Sequence, residues 1–483
     1  MASNRHPRCS PVPNRLSWAA RALLSSGVAA GLGPLACGGD DGGSNEPAGT
    51  TAAVSSSGGE SSPDDGGTVG TPATSNETGT SAGPTSDTTT PCPAGELDCA
   101  CQPKMTCDAG LSCIDDVCVT DGSDSTDGSG GEAACGDGTA SPGETCFTRS
   151  EFFGAEGEPT AILTGDVDGD DHLDVVIARS GADALAVRLG DGTGTLGLAT
   201  PFATGARPVA MALDAFDDDD NIDIVVVHET ASTIGVMLGA GDGTFSAPSF
   251  FPVGATPRAV ITADLDGNGA TDVITGDAST VTILLASGFG FSPPSTLNGV
   301  GAPRALALAE LTGDNFSDLV IADGGAAAFS VRLGAGGAVF GGGQAYPVGA
   351  APRAVVAADF NEDGDIDVAT ANATGGDVSV RYGDGLGAFG PVIPFNTGGA
   401  PQAMIGTDIN GDGHTDLAVA SATSDQVSVL LGTGTGVFSP IETFAIAGDA
   451  RGIAAGDLNE DGIVDLIVTQ GGMNLLSLLL SDA

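Results

Sequence analysis

Aromatic and cationic side chains are what this chain has least of. Its 483 residues include one Trp, two Tyr and four His, and Lys and Arg together number 15 against 63 Asp and Glu. The net charge of −48 repels polyphosphates, so charge alone argues against nucleic acid and anionic lipid surfaces as partners. Sugar binding on stacked aromatics is poorly provided for, because Trp18 falls in the N-terminal leader and Tyr346 and Tyr382 are the only tyrosines. The phenylalanines Phe245, Phe340, Phe389 and Phe438 recur at one repeat position, which assigns them to a core. Long apolar runs are lacking too. Ala22 to Ala36 is too short for a bilayer span and no second such stretch follows. No Ser-His-Asp or Cys-His grouping is visible. His172 and His414 occupy a loop position expected to face water and His228 follows a Val run, so the chain reads as a non-enzyme.

What is present begins with an export signature. Arg5, Arg8, Arg15 and Arg21 flank the apolar stretch, which ends in Pro34-Leu35-Ala36-Cys37-Gly38-Gly39. That ending resembles a bacterial lipoprotein processing site. It implies a signal peptide over residues 1–36, lipidation of Cys37 and a place in the cell envelope or on its outer surface; an ordinary secretory peptide and a secreted product are the alternative. Residues 37–91 are Gly, Ser, Thr, Pro and Asp, too poor in large apolar side chains to offset ordering entropy, and read as a flexible tether. Cys92, Cys99, Cys101, Cys107, Cys113, Cys118, Cys135 and Cys146 mark residues 92–148 as a small disulfide segment of open connectivity. Zinc is the weaker reading, since neither a nearby histidine nor paired C-x-x-C spacing is present. Cys135-Gly-Asp-Gly-Thr-Ala-Ser-Pro-Gly-Glu-Thr-Cys146 resembles the repeat of secreted bacterial cysteine-rich modules and implies a stapled spacer.

Residues 149–483 carry a sevenfold repeat. Aligned on Pro159, Pro208, Pro257, Pro303, Pro352, Pro401 and Ala450, the units are spaced by 49, 49, 46, 49, 49 and 49 residues, the short one losing residues at Ser287-Gly288. The fifth unit reads as four strands: Ala354 to Ala358, Val368 to Ala371, Val378 to Tyr382 and Pro391 to Phe395. Four short antiparallel strands per repeat predict an all-β fold, a seven-bladed β-propeller behind a disordered tether and a disulfide-rich segment. The seventh unit has three strands, while Phe152-Phe153 stands before Pro159 as Phe250-Phe251 stands before Pro257. The segment around Glu151 to Phe153 is therefore expected to complete the last blade and remove two exposed sheet edges.

Each unit carries a loop of the pattern D-x-[DN]-x-[DN]-G-x-x-D, in which oxygen side chains at positions 1, 3, 5 and 9 can converge where glycine at position 6 lets the chain turn. Five loops hold the full set: Asp166, Asp168, Asp170 and Asp174; Asp264, Asp266, Asn268 and Asp272; Asp359, Asn361, Asp363 and Asp367; Asp408, Asn410, Asp412 and Asp416; Asp457, Asn459, Asp461 and Asp465. The first has Asp171 in place of glycine. The second unit keeps Asp217, Asp219 and Asp223, with Ala215 at position 1. The fourth keeps Asp314 and Asp318, with Glu310 and Thr312 at positions 1 and 3. Clustered carboxylates repel one another, and hard oxygen donors with flexible geometry favour Ca2+ over Mg2+. Acidic turns without metal are the bland alternative.

At these residues, and at Val348-Gly-Ala-Ala-Pro-Arg353 and Gly241-Asp-Gly-Thr-Phe245, the chain resembles the FG-GAP/VCBS repeat family, found also in the integrin α-subunit head. The resemblance implies Ca2+ between first and second strands, a ligating carbonyl at position 7, and ligand binding on the opposite face. There Arg258, Arg304, Arg353 and Arg451 share one position and offer either an anion-binding ring or pairs with carboxylates of neighbouring blades. The expected role is a binding or scaffolding module with a monomeric head and an extracellular protein or glycan as partner. A protein- or glycan-recognising adhesin and a domain of a polysaccharide-acting enzyme are the alternatives.

Overall fold

Short runs of β-branched and small apolar residues, cut every few positions by Gly, Asp and Asn, favour brief strands over helices. The computed structural model describes residues 111–114, 117–120, 147–217, 219–288 and 290–481. Among them every named element is a strand, and no helix is long and apolar enough to cross a membrane. The expected signal peptide, the lipidated Cys37, the tether and most of the cysteine segment lie outside the described residues. Within that segment, Leu111–Ile114 pairs antiparallel with Val117–Thr120.

The repeats form seven four-stranded antiparallel sheets, the blades of a propeller. Blade five runs Pro352–Ala358, Asp367–Asn372, Asp377–Arg381 and Ile393–Asn396 from axis to rim, the four strands read from that unit. Blade seven takes Ala450–Gly456, Asp465–Gln470 and Leu475–Ser481 from the last unit and its outer strand, Phe147–Gly154, from before the first. Phe152 pairs with Ser477 and Phe153 with Leu476, so the ring is sealed across the two ends of the repeat array as expected. Inner strands pack side by side around the axis, Ala450–Gly456 against Pro159–Gly165 included.

Among the described residues the core is divided. Seven apolar clusters each lie between two adjacent blades, such as Val356, Ala369 and Val380 against Met404, Leu417 and Val419. At the seam, Leu476, Leu478 and Leu480 pack on Ile162, Val175 and Ile177, with Phe153 alongside. A second strand thus meets a neighbouring sheet on each face, which is why Asp174–Arg179 and Asp223–His228 are buried throughout rather than on alternate residues. Phe245, Phe389 and Phe438 set their ring edges on Phe202, Tyr346 and Phe395 of the preceding blade at 5.6, 5.0 and 5.2 Å, and Phe340 packs in the joint between blades three and four. The repeated phenylalanines are core residues, as their periodicity predicts.

Candidate metal centres at the blade joints

The acidic loops join first to second strands, and the Gly-rich turns join third to fourth strands on the same face of the ring. Every loop except that of blade two, which has Ala215 at position 1, winds round its position-1 carboxylate. Asp264 accepts the N–H groups of Gly267 and Asn268 on Oδ1 and of Gly269 on Oδ2, at 2.8–3.0 Å. Asp359, Asp408 and Asp457 accept the N–H groups of positions 5 and 6 in the same way, and Glu310 those of positions 4 and 5 in blade four. Position 6 sits in the left-handed region in every blade: Gly269, Gly364, Gly413 and Gly462 at φ +84 to +92, and Asp171, Asp220 and Asn315 at +64 to +71. Asp and Asn tolerate that region better than other side chains, so the loops without glycine keep the same turn.

Position 5 caps the backbone. Asp170, Asn268, Asp363, Asp412 and Asp461 each accept the N–H of position 7 at 2.7–2.9 Å. Position 9 does more. In all seven blades its carboxylate is fully buried and takes one N–H from position 2 and a second from the end of the third strand. Asp318, in the degraded fourth loop, accepts Leu311 at 2.8 Å and Gly334 at 2.7 Å; Asp465 accepts Leu458 at 2.7 Å and Ser481 at 2.8 Å. This aspartate staples the blade whether or not the loop keeps the other acidic residues. Asp318→Ala leaves two buried donors unsatisfied and is expected to cost about 2–4 kcal/mol, equally with and without calcium. Asp266→Ala removes a candidate ligand at position 3 and is expected to cost stability only when calcium is supplied. Thermal melts of both variants in each condition check this contrast.

Burial pushes Asp174, Asp416 and Asp465 up to about 7 and Asp367 up to about 6, with their backbone N–H partners opposing the shift. Asp223, Asp272 and Asp318 move the same way for the same reason. A carboxyl whose folded pKa is raised above its unfolded value adds stability below the unfolded pKa, and that stability is lost as pH rises through the folded one. The metal-free head is therefore expected to lose stability between about pH 4 and pH 7. A bound cation holds these groups ionised and flattens that slope. Melting curves of dialysed and calcium-loaded protein across this range measure the difference.

Three clusters bring carboxylate oxygens within 4.8 Å of one another: Asp166, Asp168 and Asp174; Asp217, Asp219 and Asp223; Asp264, Asp266 and Asp272. Positions 1, 3 and 9 converge in the first and third, with position 5 turned to its capping role; in the second, position 5 takes the place of the missing position 1. The first cluster tests the fit of a cation directly. Oδ1 of Asp168 is sealed from solvent with no hydrogen-bond donor, and burial followed by the charge of Asp170 raises this carboxyl. An acceptor-only oxygen among like charges is what a hard cation satisfies. In the last three blades the amides of Asn361, Asn410 and Asn459 donate to Asp363, Asp412 and Asp461 at 2.9, 3.1 and 3.1 Å, linking positions 3 and 5.

These centres lie at joints. The third-to-fourth-strand turn of one blade sits on the acidic loop of the blade before it. Gly194, Gly243, Ala338, Gly387 and Gly436 donate to the position-2 carbonyls of Leu458, Val167, Leu265, Leu311 and Phe360 at 2.8–3.1 Å. A Cβ on Gly243 would lie 3.0 Å from Leu189 and one on Gly436 2.9 Å from the Tyr382 ring, and both positions have φ near +76 to +77, so glycine admits the close approach at these two joints. The two histidines read as water-facing keep about a third of their side chains exposed, 34% for His172 and 32% for His414, and each also pairs across a joint. His172 Nδ1 meets Glu460 Oε1 across the seam, and His414 Nδ1 meets Glu362 Oε1 at 2.5 Å, because position 7 of one loop faces position 4 of the preceding one. The glutamate contact raises both histidines.

On the opposite face, Arg258 Nη2 pairs with Glu229 Oε1 of the preceding blade at 2.7 Å, and Glu229 also takes Arg207 at 2.9 Å. Arg451 pairs with Asp449 at 2.8 Å. Local pairing, rather than a ring open to an anion, is what these two positions show. Sequence reading missed a second periodic device here. Arg179, His228, Asp277, Asp323, Asn372, Ser421 and Gln470 all stand five residues beyond position 9 and are all buried. Several secure the incoming turn: His228 Nε2 accepts Gly205 N–H at 2.9 Å, and Asp323 accepts Gly301 and Ala302 at 2.9 and 2.8 Å. His228 stays neutral, since burial lowers it to about 4. Their chemical dissimilarity hid them, and only the shared offset could have found them.

Comparison with known proteins agrees with this architecture. The FG-GAP-like repeat model matches residues 215–275, 359–419 and 408–468, each span starting at position 1 of an acidic loop and ending beyond the next. The molecule therefore carries FG-GAP-like repeats in a seven-bladed propeller. No curated protein matches it. Among solved structures, BBS1N in complex with ARL6DN aligns over 70% of this chain and 98% of its own at 14% identity and a TM-score of 0.50. Hydrazine synthase of Kuenenia stuttgartiensis aligns over 67% and 96% at 12% identity, again with a TM-score of 0.50. At such identities the likeness is one of fold alone.

Proposed function

We propose that this chain is an exported, calcium-braced propeller that serves as a non-catalytic binding or scaffolding module, tethered to the cell envelope through a lipidated Cys37 or else secreted. The observation that carries the metal reading is the sealed, partnerless Asp168 oxygen inside a carboxylate cluster. Asp166, Asp168, Asp170 and Asp174 would hold one Ca2+, and the corresponding residues of blades three, five, six and seven would hold others. Asp217, Asp219 and Asp223 supply a smaller set in blade two. A cation held there would neutralise carboxylates that the fold has already buried. A rigid ring with metal on one face leaves the other for an extracellular protein or glycan. Elemental analysis of the folded, exported protein is expected to find several calcium ions per chain; a metal-free folded protein overturns the reading. Glycan arrays and pull-downs from envelope fractions test the binding role, and turnover of a polysaccharide by the pure protein would defeat the non-catalytic one.

A further inference from the structure

Arginines clasp neighbouring blades at the rim. Near the end of the third strand of blades one, four and five, Arg188, Arg332 and Arg381 each reach a carbonyl at the end of the preceding blade's outer strand. Arg332 Nη2 donates to Asn298 at 2.8 Å and Arg381 Nη2 to Pro347 at 2.7 Å, and Arg188 Nη2 does the same to Gly154. Of the three clasped residues, Asn298 is the one whose side chain can become an anion. Its clasp also has an acceptor to spare room for, because Nε of Arg332 is sealed from solvent and makes no hydrogen bond.

Asn298 is followed by Gly299, and before glycine an asparagine side chain is open to attack by the next backbone nitrogen, since no Cβ stands in the way. Both residues are exposed. Gly299 has φ +75, and a Cβ placed on it would meet Arg332 Nη2 at 3.6 Å. That guanidinium lies where it favours the negative charge the Gly299 nitrogen must take on before it attacks. The head has two other Asn-Gly pairs, and the fold ties both down. Asn268 Oδ1 accepts Ala270 N–H at 2.7 Å while Gly269 N–H donates to Asp264 at 2.8 Å. Asn410 is buried, donates to Asp412 Oδ2 at 3.1 Å and accepts its N–H at 3.2 Å. At Asn298 the engaged group is the backbone carbonyl. The equivalent turn after blade five also holds an asparagine, but Asn396 caps Gly398 N–H at 3.0 Å and the branched Thr397 follows it.

We propose that Asn298 is a site of spontaneous conversion to aspartate and isoaspartate, and that the carboxylate it gains pairs with Arg332. The Gly299 nitrogen loses its proton and bonds to Cγ of Asn298; the Cγ–Nδ2 bond breaks, and ammonia leaves with the proton. Water then opens the cyclic imide at either carbonyl. The sum is one water taken up and one ammonia released, with no change of oxidation state. A neutral clasp between blades three and four becomes an ion pair, whether or not the loops carry metal.

Mass mapping tests the site. Folded full-length protein is held in mildly alkaline buffer and its peptides are compared over time. The Asn298 peptide is expected to exchange NH2 for OH at least about tenfold faster than those of Asn268 and Asn410, where hydrogen bonds must open first. In urea the three are expected to convert at similar rates. Equal rates in the folded protein, or an unchanged Asn298 over the time in which the unfolded chain converts, overturn the site. Asn298→Asp tests the pairing. Its carboxyl is expected to titrate below an ordinary aspartate by NMR, and Arg332→Gln in the same chain to restore the ordinary value. An ordinary titration in Asn298→Asp alone overturns the ion pair.

Discussion

Withdrawing divalent cations should lower the melting temperature of the propeller by about 10 °C or more. Each site contributes RT ln(1 + [L]/Kd), about 2.7 kcal/mol at a hundredfold excess of calcium over its dissociation constant. Three occupied sites are then worth about 8 kcal/mol, and an unfolding entropy of about 2.1 cal/mol/K per residue converts this into roughly 10 °C for a head of this size. The placement of the clusters sharpens the expectation. Gly243 covers the first loop and Ala338 the third, so a cation there braces two blades and its loss loosens a joint as well as a turn. Differential scanning calorimetry in chelator and in millimolar calcium reads the effect directly. Superimposable curves would remove the structural role of the metal.

Deleting Phe147–Gly154 should be more damaging still. That strand covers Leu475–Ser481, and its two end aromatics reach into different joints, Phe147 into that between blades six and seven and Phe153 into that between seven and one. Losing a fully buried phenylalanine costs about 3–5 kcal/mol; these two are half-buried, yet with the lost strand pairing their removal is still a large fraction of an ordinary domain's stability of about 5–15 kcal/mol. The bared strand is also an unprotected edge. The expected product is a head that melts without cooperativity or associates through that edge, seen by calorimetry and size-exclusion chromatography. A truncated head that stays monomeric and melts within about 2 °C of the parent would show that the seam bears no load.

Much of this could be read from residues alone, for identifiable reasons. A unit spaced by 49 residues, an acidic nonapeptide in each copy and Phe152-Phe153 out of register with the repeat predict blades, loops and the crossed seam, because these depend on pattern. What pattern does not carry is who faces whom. The position-9 aspartates look like ligands, yet Asp318 keeps its two backbone donors in a loop that has lost positions 1 and 3. The glycine turns look like mere reversals, yet five of them seat on another blade's loop, a relation between residues about 75 apart in the chain for Gly243 and Val167. His172 and Glu460 are 288 residues apart and meet only because the ring is round.

The crossed seam sets a timetable for folding. Phe147 leaves the ribosome more than 300 residues before its partner Ser481, so six blades can assemble while the outer strand of the last waits for the three strands it completes. Contacts of such long range are slow to form, and an incomplete array offers a ready strand to any neighbouring chain. A ring built this way closes only once Leu475–Ser481 has arrived.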